Sequence, residues 1–213
     1  MLFGPGTQEA MALVDNAQQY VRDTSNFNWT FIALLALVVV GVYVPQIKKK
    51  NWNGIFAALA LYGVHWLYEI CNAIIGHVAY PLWTVTPEST TFILLIGVSW
   101  ELSMMFSIAG FTADLLPADK TKKVIGIPNR IFWAIVAAAG FSIFEIFLSS
   151  TPSFVWVYKW WGALPVFLTT YIPFFLAAYL IYDAKPKTQK TFVGCLWALD
   201  VILLAVLIPL GII

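Results

Sequence analysis

Residues 29–47 read WTFIALLALVVVGVYVPQI, a stretch without a charged side chain, and Lys48-Lys49-Lys50-Asn51 follows directly. A helix that crosses a bilayer needs about 20 consecutive apolar residues, so this stretch predicts a membrane span closed by a basic loop. The same alternation predicts further spans over 53–78, 90–115, 130–150, 160–182 and 191–213. Between them lie Tyr80-Pro81 through Pro87-Glu88, Asp119-Lys120 through Arg130, Ser149 through Ser153, and Asp183 through Lys190, each with turn formers, a charge cluster, or both. The expected fold is an all-α, polytopic transmembrane helical bundle of about six spans over residues 29–213.

Composition agrees. Hydrophobic residues make up 61% of the 213 positions and charged residues only 11%, where soluble proteins carry about 25%. Residues 1–28 differ in pattern: Ala10, Leu13, Val14, Ala17, Tyr20 and Val21 recur at helical spacing among Gln8, Glu9, Asp15, Gln18 and Arg22. That predicts a short amphipathic helix on the membrane surface. The segment lacks the basic start, apolar run and small-residue cleavage site of a signal peptide, so it is expected to be retained.

Lys48, Lys49, Lys50, Lys120, Lys122, Lys123, Arg130, Lys185, Lys187 and Lys190 all fall in the first, third and fifth loops, and only Arg22 and Lys159 fall elsewhere. Cytoplasmic loops hold the excess of Lys and Arg. The expected integral membrane protein therefore has its Lys-rich loops in the cytoplasm and both termini outside it. Trp29, Trp52, Trp83, Trp156, Trp160 and Trp161 sit near span ends, where indoles prefer the headgroup level.

Several function classes are disfavoured. A net charge of +1 with no long basic block argues against nucleic acid as a partner. Cys71 and Cys195 lie in apolar stretches and form no CxxC pair. His65 and His77 are twelve apart with no HExxH, and GxSxG, P-loop and GxGxxG patterns are absent. Neither a metal nor another cofactor is expected. A homo-oligomer is compatible with the sequence.

Of the eleven Asp and Glu residues, Glu69, Glu101, Glu145 and Asp200 fall well inside expected spans, and no Lys or Arg does, Asp114 and Arg130 lying only at span ends. Each costs about 2.5–3.5 kcal/mol at the centre of an inserting helix, so a use or a compensating partner is expected. His65 and Glu69 are one helical turn apart, and Asn72 continues their face. Trp66 precedes Glu69 by three positions, Trp197 precedes Asp200 by three, and Trp100 directly precedes Glu101. Acids and indoles in one pocket would suit a cation or a carbocation. The alternative for each acid is an interhelical hydrogen bond to Ser, Thr or Tyr.

Gly63-Val64-His65-Trp66-Leu67-Tyr68-Glu69 and Val98-Ser99-Trp100-Glu101 resemble the emopamil-binding protein family, membrane enzymes that move a sterol ring double bond. In that family a His and a Glu four apart on one span, with a second Glu on the next, move protons to and from the alkene. The resemblance implies Glu69 and Glu101 as the acid–base pair, with His65 orienting them and Glu145 as an acid on the fourth span. On the fifth span, where the family lines the sterol cation with Asn and Trp, this chain has Thr169, Thr170, Tyr171 and Pro173. Trp66, Glu69 and Asp200 are more loosely similar to the membrane-bound terpene cyclases of meroterpenoid pathways. Both families protonate an isoprenoid alkene. The expected activity is isomerisation or cyclisation of an isoprenoid or sterol-like lipid. Glu69, Glu101 and His65 would be catalytic, and Trp66, Trp100, Asn72, Glu145, Tyr171, Trp197 and Asp200 would line the substrate. A proton-coupled transporter and a non-catalytic lipid-binding subunit are the alternatives.

Overall fold

The computed structural model describes residues 2–25 and 27–213, apart from the side chain of Ser89. Five helices are long and apolar enough to cross a membrane: α2 (Trp29–Lys48), α3 (Trp52–Val78), α5 (Asn129–Leu148), α6 (Ala163–Tyr182) and α7 (Pro186–Leu207). The short α1 (Gln8–Gln19) precedes them, and α4 (Trp100–Ala109) continues as a tighter 3-10 helix over Gly110–Leu115.

The span expected over 90–115 is therefore only partly helical. Its first residues form a hairpin of β2 (Ile93–Leu95) and β3 (Val98–Ser99), and α4 starts where Ser99 accepts a hydrogen bond from the Leu102 N–H. A serine N-cap inside an apolar run is the local reason the helix begins late. Ten α and six 3-10 residues still rise about 27 Å, close to a bilayer core. Gly110 lies so close to α3 that a Cβ there would meet the backbone of Ala57 and Ala58. At its far end Asp114 receives Asn51 Nδ2 at 2.9 and 2.8 Å, so the chain returns to the end where α3 began.

The three basic segments gather at that end. Arg130 pairs with Asp183 at 2.6 Å and donates to the Pro117 carbonyl at 2.7 Å. Gln189 joins Asn53 at 3.0 Å to the carbonyl of Ile181 at 2.9 Å. A second hairpin, β4 (Lys123–Val124) and β5 (Ile127–Pro128), turns through Ile125 and Gly126, both with positive φ.

At the opposite end α1 lies against β1 (Trp83–Val85), which pairs antiparallel with β6 (Phe154–Trp156). Ala10, Val14 and Ala17 are buried, so the apolar stripe of α1 serves the protein's own packing as well as any membrane surface. Arg22 ties the end of α1 to the Ile93 carbonyl through its N–H at 2.8 Å, and to Ile213 through its guanidinium at 3.0 Å.

The central helix is α3, which packs on α4, α6 and α7. By contrast α2 and α7 are peripheral and leave side chains such as Leu37, Val40, Val201 and Ile202 exposed, as lipid-facing helices do. Tyr68 on α3 donates its hydroxyl to the Thr169 carbonyl of α6 at 2.7 Å. That carbonyl would ordinarily receive the N–H of position 173, which is proline. The same stretch, Phe167–Tyr171, is wound as a π turn.

Candidate active site

On α3, His65 and Glu69 project to one face as their spacing requires, with His65 Nε2 3.5 Å from Glu69 Oε1. The imidazole stacks on Phe106, centroids 4.1 Å apart, and neither ring nitrogen is hydrogen-bonded among the described residues. Trp83 Nε1 donates to both oxygens of Glu69, at 3.3 and 3.2 Å. Asn72 fixes Trp83: its amide donates to the Trp83 carbonyl at 2.9 Å while its oxygen accepts the Leu82 N–H at 2.8 Å. Gly97, in the β2–β3 turn, packs directly on this group, and a Cβ there would meet Asn72, Glu69 and Trp83.

The second acid is Glu145 of α5. Trp156 Nε1 donates to its Oε1 at 2.8 Å, and the Tyr171 phenol also interacts with it. Glu69 and Glu145 face the same cavity of about 40 Å³. Its lining includes His65, Thr170 and Tyr171, with Phe106, Phe144 and Phe174 among the apolar walls. The Thr170 hydroxyl is buried and has no hydrogen-bond partner among the described residues. On the α4–α5 side the wall consists of Leu102, Met105, Phe144 and Leu148, and Phe144 is 46% exposed. Phe144 therefore both lines the cavity and reaches the outer surface of the bundle.

The expected pairing of Glu69 with Glu101 is not formed here. Glu101 Oε1 accepts the N–H and hydroxyl of Thr91 at 2.7 and 2.8 Å, and Glu101 does not line the cavity. Trp66, Trp100 and Trp197 also lie outside it. Trp197 donates to the Leu59 carbonyl at 3.0 Å, between α7 and α3. Asp200 is buried apart from the cavity, with neither carboxylate oxygen hydrogen-bonded among the described residues. Asn72 positions Trp83, while Glu145 and Tyr171 do line the cavity. Trp83 and Trp156, which the sequence marks only as span-end anchors, hold the two acids. Among the described residues no group of three or more His, Cys, Asp or Glu is placed to hold a metal ion.

Residues 11–209 match the uncharacterized membrane protein family. The chain belongs to that family. An uncharacterized protein of Archaeoglobus fulgidus is 42% identical over 198 residues, covering 90% of this chain and 93% of the relative. No solved structure matches. Neither the family's description nor the relative's names a sterol isomerase or a terpene cyclase. The chain is an integral membrane protein of this family.

Proposed function

We propose that this protein is a membrane enzyme that moves a double bond in, or cyclises, an isoprenoid lipid by proton transfer between Glu69 and Glu145. One observation carries the reading. Two buried glutamates from different spans face one aromatic-walled cavity, each held by an indole N–H. An acid and a base on one apolar site are the minimum set for alkene isomerisation. Glu69 as the acid gives its proton to one alkene carbon, leaving a cation beside Phe106, Phe174 and Tyr171. Glu145 as the carboxylate then takes a proton from the neighbouring carbon. Proton count is unchanged, and His65 beside Glu69 offers a relay that resets the pair. Aromatic faces stabilise such a cation by about 0.5–2 kcal/mol.

A cavity of about 40 Å³ has room for water or the end of a flexible chain once Phe144 moves, and not for a rigid four-ring sterol. Size therefore favours a linear isoprenoid entering from the bilayer past Phe144. In this reading the Lys-rich end faces the cytoplasm, as the excess of basic residues there favours.

Incubating the protein in heavy water with isoprenoids extracted from its own membrane tests this. Deuterium should enter an allylic position of one lipid, and Glu69→Gln and Glu145→Gln should each stop it. Unchanged incorporation in both variants would reject the proposal. The π turn and Pro173 beside the cavity also suit a broken transporter helix. For that reading, proton flux in proteoliposomes would be lost in the same variants with no isotope in any lipid.

A further inference from the structure

At the Lys-rich end, a cavity of about 500 Å³ opens between the first turns of α3 and α7. Lys50, Lys190, Asn51, Asn53 and Gln189 supply its polar lining, and Trp52 and Phe56 its apolar part. No carboxylate lines it, and neither lysine forms an ion pair among the described residues. Asp114 is engaged by Asn51 at the rim. Gln189 is buried and donates to the Asn53 oxygen, so the Asn53 side-chain oxygen is already engaged. Trp52 is half exposed at a span end, the headgroup level. Deeper, Phe56, Leu59 and Trp197 pack on Ala60, Ile181 and Val193 in an apolar seam between the helices.

The backbone adds an independent observation. Helix α2 ends with Lys50 N–H on the Ile47 carbonyl and Asn51 N–H on the Gln46 carbonyl, both at 2.9 Å, and Lys50 has φ of 56°. This termination favours glycine at the left-handed position. Lysine stands there at a conformational cost, and its side chain lines the cavity.

We propose that this cavity binds the phosphate headgroup of an anionic membrane lipid, with Lys50 and Lys190 as its cationic contacts. Basic pockets between spanning helices are suited to such headgroups. The acyl chains would follow the seam past Phe56.

Native mass spectrometry of the full chain released from phosphatidylcholine nanodiscs, with and without phosphatidylglycerol, tests the proposal. Wild type should retain phosphatidylglycerol in preference to phosphatidylcholine. Lys50→Gly and Lys190→Gln should each lower that retention about fivefold, and Lys122→Gln on the β4–β5 hairpin should not. Because glycine suits the turn, Lys50→Gly should keep or raise the melting temperature, which separates lost binding from lost folding. Equal retention of the two lipids, or retention unaffected by Lys50→Gly, would overturn it. So would displacement of phosphatidylglycerol by inorganic phosphate beyond the effect of chloride at equal ionic strength, which would indicate a site for free anions. None of these outcomes depends on the glutamate chemistry.

Discussion

Trp83 and Trp156 stand directly opposite each other across the antiparallel pair β1–β6, and each sends its indole N–H to a buried glutamate on a different long apolar helix. The two-stranded ribbon thus acts as one bracket for two acids carried on separate helices. Trp83→Phe or Trp156→Phe keeps most of the ring and removes the donor, leaving a buried carboxyl short of a partner. Each should lower stability by about 1–3 kcal/mol, read as a lower melting temperature in a fixed detergent. Because both belong to one bracket, the double variant should lose less than the sum. Strict additivity would mean the strands do not couple the acids.

Glu101 should behave as a structural residue. Its carboxylate holds Thr91, joining the start of α4 to the segment before β2. Glutamine retains an acceptor oxygen, so Glu101→Gln should leave lipid isomerisation within a few-fold of wild type, while Glu145→Gln abolishes it. Glu101→Ala should lower the melting temperature by orphaning the Thr91 N–H. An inactive but fully stable Glu101→Gln would return Glu101 to the chemistry.

Much of this was legible in the sequence. The apolar stretches marked six spans, of which five are long helices, and the lysine clusters marked the shared end of their basic loops, because hydrophobic length and loop charge are local signals. The face shared by His65, Glu69 and Asn72 follows from helical spacing alone. The partner of Glu69 did not, because the choice between Glu101 and Glu145 is made by tertiary contacts. A ten-residue slip of expectation at residues 90–99 conceals a hairpin whose Gly97 packs on Glu69. Nothing local distinguishes Trp83 and Trp156 from the other span-end tryptophans, since their role depends on the pairing of strands some seventy residues apart.

At the Lys-rich end, Asp119 accepts the N–H of Thr121 at 2.9 Å and its hydroxyl at 2.6 Å. The hydroxyl first, then the backbone N–H, hold its carboxyl below the ordinary value of 3.8. A carboxylate depressed in the folded state stabilises the turn fully above that ordinary value. The contribution is lost as pH falls through the lower folded value. Carbon-13 detection of the Asp119 carboxyl should give a midpoint under 3.8, and Thr121→Val should move it upward while the backbone bond remains. A midpoint unmoved by Thr121→Val would refute the hydroxyl's role.

The Tyr68 hydroxyl replaces the N–H that Pro173 withholds from the Thr169 carbonyl. Tyr68→Phe should therefore leave that carbonyl without its donor and cost about 0.5–1.5 kcal/mol. Pro173→Ala restores an N–H at the position the carbonyl would normally use. In that background the same Tyr68→Phe change should cost much less, and the difference is the coupling energy of a double-mutant cycle. Thermal or denaturant unfolding in mixed micelles gives all four stabilities. If the π turn over Phe167–Tyr171 is held open by proline, Pro173→Ala should also shift Thr170 and Tyr171 and slow deuterium entry into lipid. A cycle with no coupling would show that the hydroxyl and the proline act independently, and that the turn is set by packing against Phe106 and Phe174 instead.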